Sequence, residues 1–252
     1  MLTSERHQRI INLLEEKKSV HIEELVSLFG VSVATIRRDL DALEKDKKLK
    51  KIYGGATFLS APPLASYDTR FQINHDLKEK IGIAVATMIN DGESVMFDIG
   101  STALEAAKQI KNKQNLMIVT NSISIMNELM DSDESISVFC LGGMVKRSEN
   151  CLIGNMANDT IERFRLDKAV ISAGGITTSG LMNYNQDTAN IHSLCAKNAK
   201  TRILAADSSK FGKQNFLLSS TWDDVDIVVT DEGISEEYKD FIKGIGKELI
   251  IV

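Results

Sequence analysis

The sequence predicts an α/β protein, in which a small winged helix-turn-helix domain precedes a larger, mostly parallel α/β domain. Helical periodicity in the first part of the chain ends in a Gly-Gly hairpin, whereas helical stretches alternate with short apolar strands further on. The only two prolines, Pro62 and Pro63, lie between these regions and predict a stiff connector. We therefore place the DNA-binding domain at 1–58, a linker at 59–69 and the second domain at 70–252.

Composition and charge narrow the class of protein. Of 252 residues, 43% are hydrophobic and 26% charged, as in globular proteins. Three cysteines without a C-x-x-C pair and four scattered histidines predict neither a disulfide framework nor a metal site, and we expect no cofactor. We expect a cytoplasmic protein without a membrane segment, because no apolar run approaches the roughly 20 residues of a membrane span. Residues 1–57 carry a net charge of +2 and the remainder −7, which suits nucleic-acid binding by the first domain alone.

Three amphipathic helices are predicted before the hairpin. Their apolar faces consist of Ile10, Ile11, Leu13 and Leu14, then Ile22, Leu25, Leu28 and Phe29, and then Val33, Ile36, Leu40 and Leu43. Between the second and third helices, Gly30 suits a helix C-terminus and Ser32 an N-cap, a spacing typical of a helix-turn-helix. In the following "KLKKIYGGATFL", a Gly-Gly between two β-prone runs predicts the wing of a winged helix.

The third helix is the predicted recognition helix. At about 100° per residue its buried side is centred between Ile36 and Leu40, so Arg38 points away from the core, towards a DNA major groove. Arg37 lies at the margin, where a DNA phosphate or an ion pair with Asp41 is possible. Solvated surface charge is the alternative for both arginines. The predicted DNA-binding residues are Ser32, Thr35, Arg37, Arg38, Lys48, Lys50, Lys51 and Tyr53.

Seven apolar strands are predicted in the second domain, at 93–98, 115–120, 135–141, 167–172, 201–207, 223–230 and 248–252. Alternation of strands with helices forms right-handed βαβ units and a parallel sheet, whose ligands bind at the carboxyl ends of the strands. In "VMFDIGST" the strand ends at Asp98, Gly100 permits close backbone approach, and Ser101 and Thr102 open a helix whose N–H groups attract an anion. An ordinary turn with a capping hydroxyl is the alternative.

Other strand ends supply similar residues to the same edge. Small or hydroxyl-bearing residues follow three further strands, namely Thr120, Asn121 and Ser122, then Gly142 and Gly143, and then Gly174 and Gly175. Lys146, Arg147 and Lys210 are available cations. Asp98 and Asp187 are carboxylates able to accept hydrogen bonds from sugar hydroxyls, although a helix cap is an equal alternative for Asp187. We predict no catalytic residues, because neither a G-x-S-x-G elbow nor a G-x-x-x-x-G-K-[ST] loop is present.

The stretch "LVSLFGVSVATIRRDLDALEKDKKLKKIYGGA" resembles the winged helix of the DeoR/GlpR family of bacterial transcription regulators. Downstream, "FDIGST", "VTNS", "LGG", "IG" at Ile153-Gly154, "GGITTSGL" and "DSSKFG" resemble that family's sugar-phosphate sensor, and the resemblance covers about residues 4–249. It implies a homodimeric or homotetrameric repressor that is released from operator DNA by a phosphorylated sugar or related small anionic metabolite. It also implies a sensor fold like that of ribose-phosphate isomerases and CoA transferases.

The resemblance assigns roles at the strand ends. It implies that Asp98, Gly100, Ser101 and Thr102 hold the phosphate, that Thr120, Asn121, Ser122, Gly142 and Gly143 line the pocket, and that Lys210 reaches the ligand. The family's wing, R-x-H-G-G-A, here runs from Lys51 to Ala56 without the histidine, which affects the operator sequence rather than DNA binding. The family's E-A-x-V-K-R helix reads "DTANIH", so that Ile191 and His192 replace two basic residues. This indicates a different effector or a weaker dependence on phosphate.

We therefore expect a transcriptional regulator, a repressor of a carbohydrate-metabolism operon, rather than an enzyme. Two alternatives stay open at this point. One is an isomerase-like sugar-phosphate enzyme fused to a DNA-binding domain, and the other is a regulator whose second domain only oligomerises.

Overall fold

The computed structural model describes residues 3–17, 19–46, 48–52, 54–58 and 67–252. The chain divides into two compact units, Met1–Ala65 and Ser66–Val252. The predicted connector around Pro62 and Pro63 lies outside the described residues. Residues 67–69, predicted as linker, instead belong to the first helix of the second unit.

The first unit contains three helices and a three-stranded antiparallel sheet. Its elements are α1 (Thr3–Lys17), β1 (Ser19–His21), α2 (Ile22–Phe29), α3 (Val33–Lys45), β2 (Leu49–Ile52) and β3 (Gly55–Phe58), with strand order β1-β3-β2. Gly30 ends α2 with a φ of 63°, and the Ser32 side chain accepts a hydrogen bond from Thr35 N at the start of α3. The predicted helix-turn-helix and wing are thus confirmed. β1 was not predicted, because three residues are too few to show a strand pattern.

The core of this unit contains one residue or more from each helix, among them Leu14, Leu25 and Leu40. Two residues that the sequence assigned to apolar faces are exposed instead, Leu28 by 56% and Val33 by 44%. Both lie in the terminal turns of their helices, on either side of the connecting turn, where the helical periodicity no longer points into the core.

A buried ion pair joins α1 to α3. Arg6 donates to Asp39 through Nε at 2.6 Å and Nη2 at 3.0 Å, and His7 Nε2 lies 3.0 Å from the same carboxylate. Asp39 is only 4% exposed. Asp39 precedes Leu40 and follows Arg38 in α3, so the pair attaches the recognition helix to α1.

We expect Asp39→Ala to lower the free energy of unfolding of the first unit by about 3 kcal/mol, because it leaves a buried guanidinium without its carboxylate. Urea denaturation followed by circular dichroism measures this loss. Asp41→Ala is the control, since Asp41 is exposed and pairs with Lys51 at the surface, where we expect less than about 1 kcal/mol. Equal losses in the two variants would contradict the role given to Asp39.

The second unit is built on seven parallel strands. Its elements are α4 (Tyr67–Gln72), α5 (His75–Thr87), β4 (Ser94–Phe97), α6 (Ser101–Lys108), β5 (Met117–Thr120), α7 (Ile123–Glu128), β6 (Ser137–Cys140), β7 (Met144–Lys146), β8 (Cys151–Ile153), α8 (Asn155–Ile161), β9 (Leu166–Ile171), β10 (Gly175–Thr177), β11 (Gly180–Asn183), α9 (Gln186–Lys197), β12 (Ala199–Ala205), β13 (Leu217–Ser220), β14 (Ile227–Thr230), α10 (Glu236–Gly244) and β15 (Glu248–Ile251). The main sheet has the order β15-β14-β12-β9-β4-β5-β6. The predicted α/β class and all seven predicted strands are confirmed.

Alternate residues of the central strands enter two cores, one on each face of the sheet. Met96 and Val119 belong to one core, and Phe97 and Ile118 belong to the other. The β7–β8 hairpin and the antiparallel sheet β10-β11-β13 were not predicted, because each strand has only three or four residues within a longer connection. Among the described residues, no helix combines the length and apolar character needed to cross a bilayer.

Candidate functional site

The predicted DNA-binding face of α3 is exposed. The helix buries Ile36, Leu40 and Leu43, whereas Arg37 and Arg38 are solvent-exposed. The hydroxyls of Ser32 and Thr35 lie 2.9 Å apart at the start of the helix. Arg38 therefore lies on the side opposite the core, as the helical register predicts.

The wing carries exposed lysines at Lys48 and Lys50. Lys51 forms an ion pair with Asp41 of α3, and its backbone N–H donates to Glu44 Oε1 at 2.8 Å. These contacts tie the wing to the recognition helix and use the carboxylate that the sequence offered to Arg37 as one alternative. Tyr53 lies outside the described residues.

In the second unit, the four predicted strand ends meet at one edge of the sheet. β9, β4, β5 and β6 are consecutive neighbours and all parallel, so that the residues following them share the carboxyl edge. These are the residues that the sequence selected, Asp98, Gly100, Ser101 and Thr102 after β4, Thr120, Asn121 and Ser122 at β5, Gly142 and Gly143 after β6, and Gly174 and Gly175 after β9.

Asp98 is buried at the centre of this edge. Its Oδ2 atom lies 3.2 Å from His192 Nδ1 and accepts hydrogen bonds from the hydroxyl and backbone N–H of Ser172, at 3.3 and 3.4 Å. The sequence identified His192 only as a departure from the family pattern, and the structure places it in direct contact with Asp98. Ser172 was missed, although it follows β9 as the other selected residues follow their strands. Ile191, by contrast, is buried in the apolar core.

Among the buried polar atoms at this edge, several have no hydrogen-bond partner within the described part of the chain, and three of them belong to residues already named. They are Asp98 Oδ1, Asn121 Oδ1 and His192 Nε2. Because buried polar atoms in folded proteins are nearly always paired, such a group marks a place suited to a polar ligand. His192 Nε2 can donate or accept, and Asp98 Oδ1 and Asn121 Oδ1 accept, so these three atoms fit the hydroxyl groups of a sugar.

Other predicted residues hold the conformation of the loops at this edge. Thr120 Oγ1 donates to Phe97 O at 2.9 Å and accepts from Ser122 N at 3.0 Å, and Ser122 Oγ caps α7 by accepting from Ile125 N. A Cβ on Gly175 would lie 2.1 Å from Lys213 O. Hydrogen bonds within the loops account for the hydroxyl groups of Thr120 and Ser122, and close packing accounts for glycine at position 175. None of these three residues requires a ligand to explain its side chain.

Asp187 and Lys146 form an ion pair of 3.5 Å. The capping alternative for Asp187 is wrong, because the N-cap of α9 is Asn185, whose side chain accepts from Thr188 N. Arg147 is exposed. Lys210 is half-buried, and burial lowers its pKa, an effect to which the charges of Lys213 and Arg70 add and which Asp207 opposes.

Two further cations were missed by sequence reasoning. Arg70 of α4 donates to Glu149 Oε2 at 2.5 Å, and Lys78 of α5 donates to the carbonyl oxygens of Arg70 and Ile73. Lys78 is 2% exposed, and burial lowers its pKa to about 8. Arg70 stands at the predicted linker boundary and Lys78 in a charged helical stretch, so neither showed a pattern that distinguishes it from surface charge.

We expect Gly100→Ala to displace Ser172 from Asp98, because the added Cβ would lie 2.3 Å from Ser172 Oγ and 2.5 Å from its Cβ. The loss in the free energy of unfolding should be about 1 to 3 kcal/mol, the usual cost of overpacking. Thermal denaturation measures it. Gly244→Ala is the control, because no atom beyond its chain neighbours and its own helix backbone lies within 4 Å of its Cβ position. An unchanged melting temperature for Gly100→Ala would contradict the packing.

The family assignment rests on two matches that together cover most of the chain. Residues 6–61 match the model of the DeoR-like helix-turn-helix domain, and residues 73–232 match that of the DeoR C terminal sensor domain. The chain belongs to the DeoR family. The resemblance stated from the sequence is thereby confirmed.

Members of the DeoR family with similar sequences span nearly the whole chain. The chain is 33% identical over 234 residues to an HTH-type transcriptional regulator, FruR, of Bacillus subtilis, with 92% of each chain covered. It is 32% identical over 232 residues to the glycerol-3-phosphate regulon repressor of Escherichia coli, again with 92% of each covered. It is 30% identical over 239 residues to the lactose phosphotransferase system repressor of Lactococcus lactis, with the same coverage.

Similarity to solved structures is weaker. Ribose 5-phosphate isomerase A from Methanocaldococcus jannaschii shares 18% identity and a TM-score of 0.40, covering 55% of this chain and 55% of that one. 4-Hydroxybutyrate CoA-transferase from Porphyromonas gingivalis shares 19% identity and a TM-score of 0.38, covering 62% of this chain and 46% of that one.

Proposed function

We propose that this DeoR-family chain represses a sugar-related operon, binding operator DNA through α3 and the wing and releasing it when the second unit binds an anionic sugar metabolite. The observation that carries this proposal is the presence, in one chain, of a helix-turn-helix domain and a sensor domain of the same regulator family. Similar proteins are named repressors of the glycerol-3-phosphate regulon and of the lactose phosphotransferase system.

The effector site we propose is the carboxyl edge of the main sheet. Asp98, Asn121 and His192 offer unpaired polar atoms for hydroxyl groups. Lys210 supplies a cation, and the first N–H groups of α6, at Ser101 and Thr102, suit an anionic group. A phosphorylated sugar, or a small anionic metabolite related to it, fits both the unpaired polar atoms and the groups that attract an anion. We further propose that the protein acts as a homodimer or homotetramer in the cytoplasm.

A thermal-shift screen of the full chain tests the effector class. Glycerol 3-phosphate, glucose 6-phosphate, fructose 1-phosphate and ribose 5-phosphate are compared with their unphosphorylated counterparts. A ligand at 100 times its Kd stabilises the folded state by about 2.7 kcal/mol, which raises the Tm of a unit of this size by roughly 5 to 10 °C. A shift with neutral sugars equal to that with the phosphates would contradict an anionic effector.

We also propose that the sensor binds its ligand without converting it. Incubation of the full chain with the sugar phosphate that gives the largest thermal shift, followed by proton NMR over hours, should show an unchanged spectrum. Conversion to an isomer would instead support the enzyme alternative.

A further inference from the structure

Glu149 occupies an unusual position for a carboxylate beside a site that receives an anion. It lies in the turn between β7 and β8 and is 4% exposed. Its Oε2 atom accepts from Arg70 Nη2 at 2.5 Å. Burial raises the pKa of Glu149, Asp98 adds to this effect, and Arg70 and Lys146 oppose it.

The turn that carries Glu149 is fixed to the loop after β5. Asn150 O accepts from Ile123 N at 3.0 Å, and Leu152 exchanges two hydrogen bonds with Asn121, through its N–H at 2.8 Å and its carbonyl oxygen at 3.0 Å. Glu149 thus lies next to residues of the proposed effector edge, in a turn whose following residues are bonded to the loop after β5.

Arg70 pairs with Glu149 from α4, and the turn that follows α4 contacts the loop after β12. Burial lowers the pKa of Lys210, and the positive charge of Arg70 contributes to this. Lys210 lies beside Asp207, because its backbone N–H donates to Asp207 O at 3.0 Å. The turn after α4 is attached to the loop after β12, because Asn74 Nδ2 donates to Asp207 Oδ1 at 2.9 Å. An anion bound near Lys210 would therefore attract Arg70, which Glu149 now neutralises.

We infer that Glu149 is an internal competitor of the effector: its carboxylate occupies Arg70 in this structure, and the anionic group of the effector takes Arg70 from it on binding. The inference rests on the proposed anionic effector. Glu149 then sets the affinity for the effector, because each binding event must break the Arg70–Glu149 pair. The exchange also moves a residue of α4, the helix that directly follows residues 59–66 in the chain.

Variants of the two partners have opposite expected effects. Glu149→Gln keeps the shape of the side chain and removes its charge, so the full chain should bind inorganic phosphate, and the best sugar phosphate of the thermal-shift screen, about tenfold more tightly. Arg70→Gln should weaken both by roughly tenfold or more, since a hydrogen bond to a charged group is lost. Isothermal titration calorimetry measures both affinities.

Glu93→Gln is the matched control. Glu93 forms an ion pair with Lys168 but precedes β4, at the opposite end of the strands, and we expect unchanged ligand affinity. A merely structural ion pair predicts that Glu149→Gln weakens binding or leaves it unchanged, and either result would overturn the inference.

Two further outcomes separate this inference from the proposed function. Wild-type affinity for sugar phosphates in Arg70→Gln would overturn the inference while leaving the effector class intact. Failure of wild type and Glu149→Gln alike to bind any phosphate would overturn both.

Discussion

Arg38→Ala is expected to lower the affinity of the full chain for its operator by about ten- to a hundredfold, while its affinity for random-sequence DNA falls only a few-fold. The reason is geometric, because Arg38 lies opposite the buried side of α3, where a guanidinium can reach the edge of a guanine. One such bidentate contact contributes about 1 to 3 kcal/mol of base discrimination. Fluorescence anisotropy with DNA that wild type selects from a random library measures the two affinities.

Arg37→Ala is the matched control for this experiment. It removes the same charge from the neighbouring position, which lies at the margin of the helix. We expect it to weaken binding to both DNAs equally, as loss of a phosphate contact does. If Arg38→Ala also lowered both affinities by the same factor, Arg38 would be a phosphate contact and the assignment would be wrong.

Ser101→Glu is expected to abolish the response to the effector while leaving operator binding intact. The new carboxylate would lie at the start of α6, where it interacts favourably with the helix dipole and repels an incoming anion. We expect no thermal shift with the sugar phosphate that stabilises wild type, and affinity for operator DNA that no longer depends on that ligand.

Ser101→Gln tests whether the expected effect of Ser101→Glu comes from the charge of the new side chain or from its size. Glutamine has nearly the same volume as glutamate, so steric exclusion alone would affect the two variants equally. A sugar phosphate should still raise the Tm of Ser101→Gln, even if by less than in wild type. Loss of the shift in both variants to the same extent would contradict an anion site at this helix terminus.

The fold could be predicted where the pattern was local and repeated. The turn at Gly30 and Ser32 and the seven apolar strands each have a signal within a few residues, and the structure confirms them. The β7–β8 hairpin and α4 could not be predicted, since their elements are short and are stabilised by contacts distant in sequence, such as Arg70 with Glu149.

Some residues of the candidate site could likewise be predicted from the sequence, and others could not. Asp98 and Asn121 could be found because they follow apolar strands, and parallel topology brings strand ends together. His192 and Lys78 could not, because their importance depends on which residue lies opposite them across the fold. His192 stands where the resemblance implies an arginine, and its contact with Asp98 places its side chain at the carboxyl edge of the sheet.

Occupancy of the sensor is expected to lower the affinity of the chain for operator DNA. The most direct measurement is a titration of the full chain with selected operator DNA at several fixed concentrations of the best sugar phosphate from the thermal-shift screen. Coupling between two such sites is typically about 1 to 3 kcal/mol, so saturating ligand should weaken DNA binding by roughly 5- to 150-fold, and DNA should weaken ligand binding by the same factor. A sugar phosphate that binds the chain and leaves its operator affinity unchanged would contradict the proposed release from DNA.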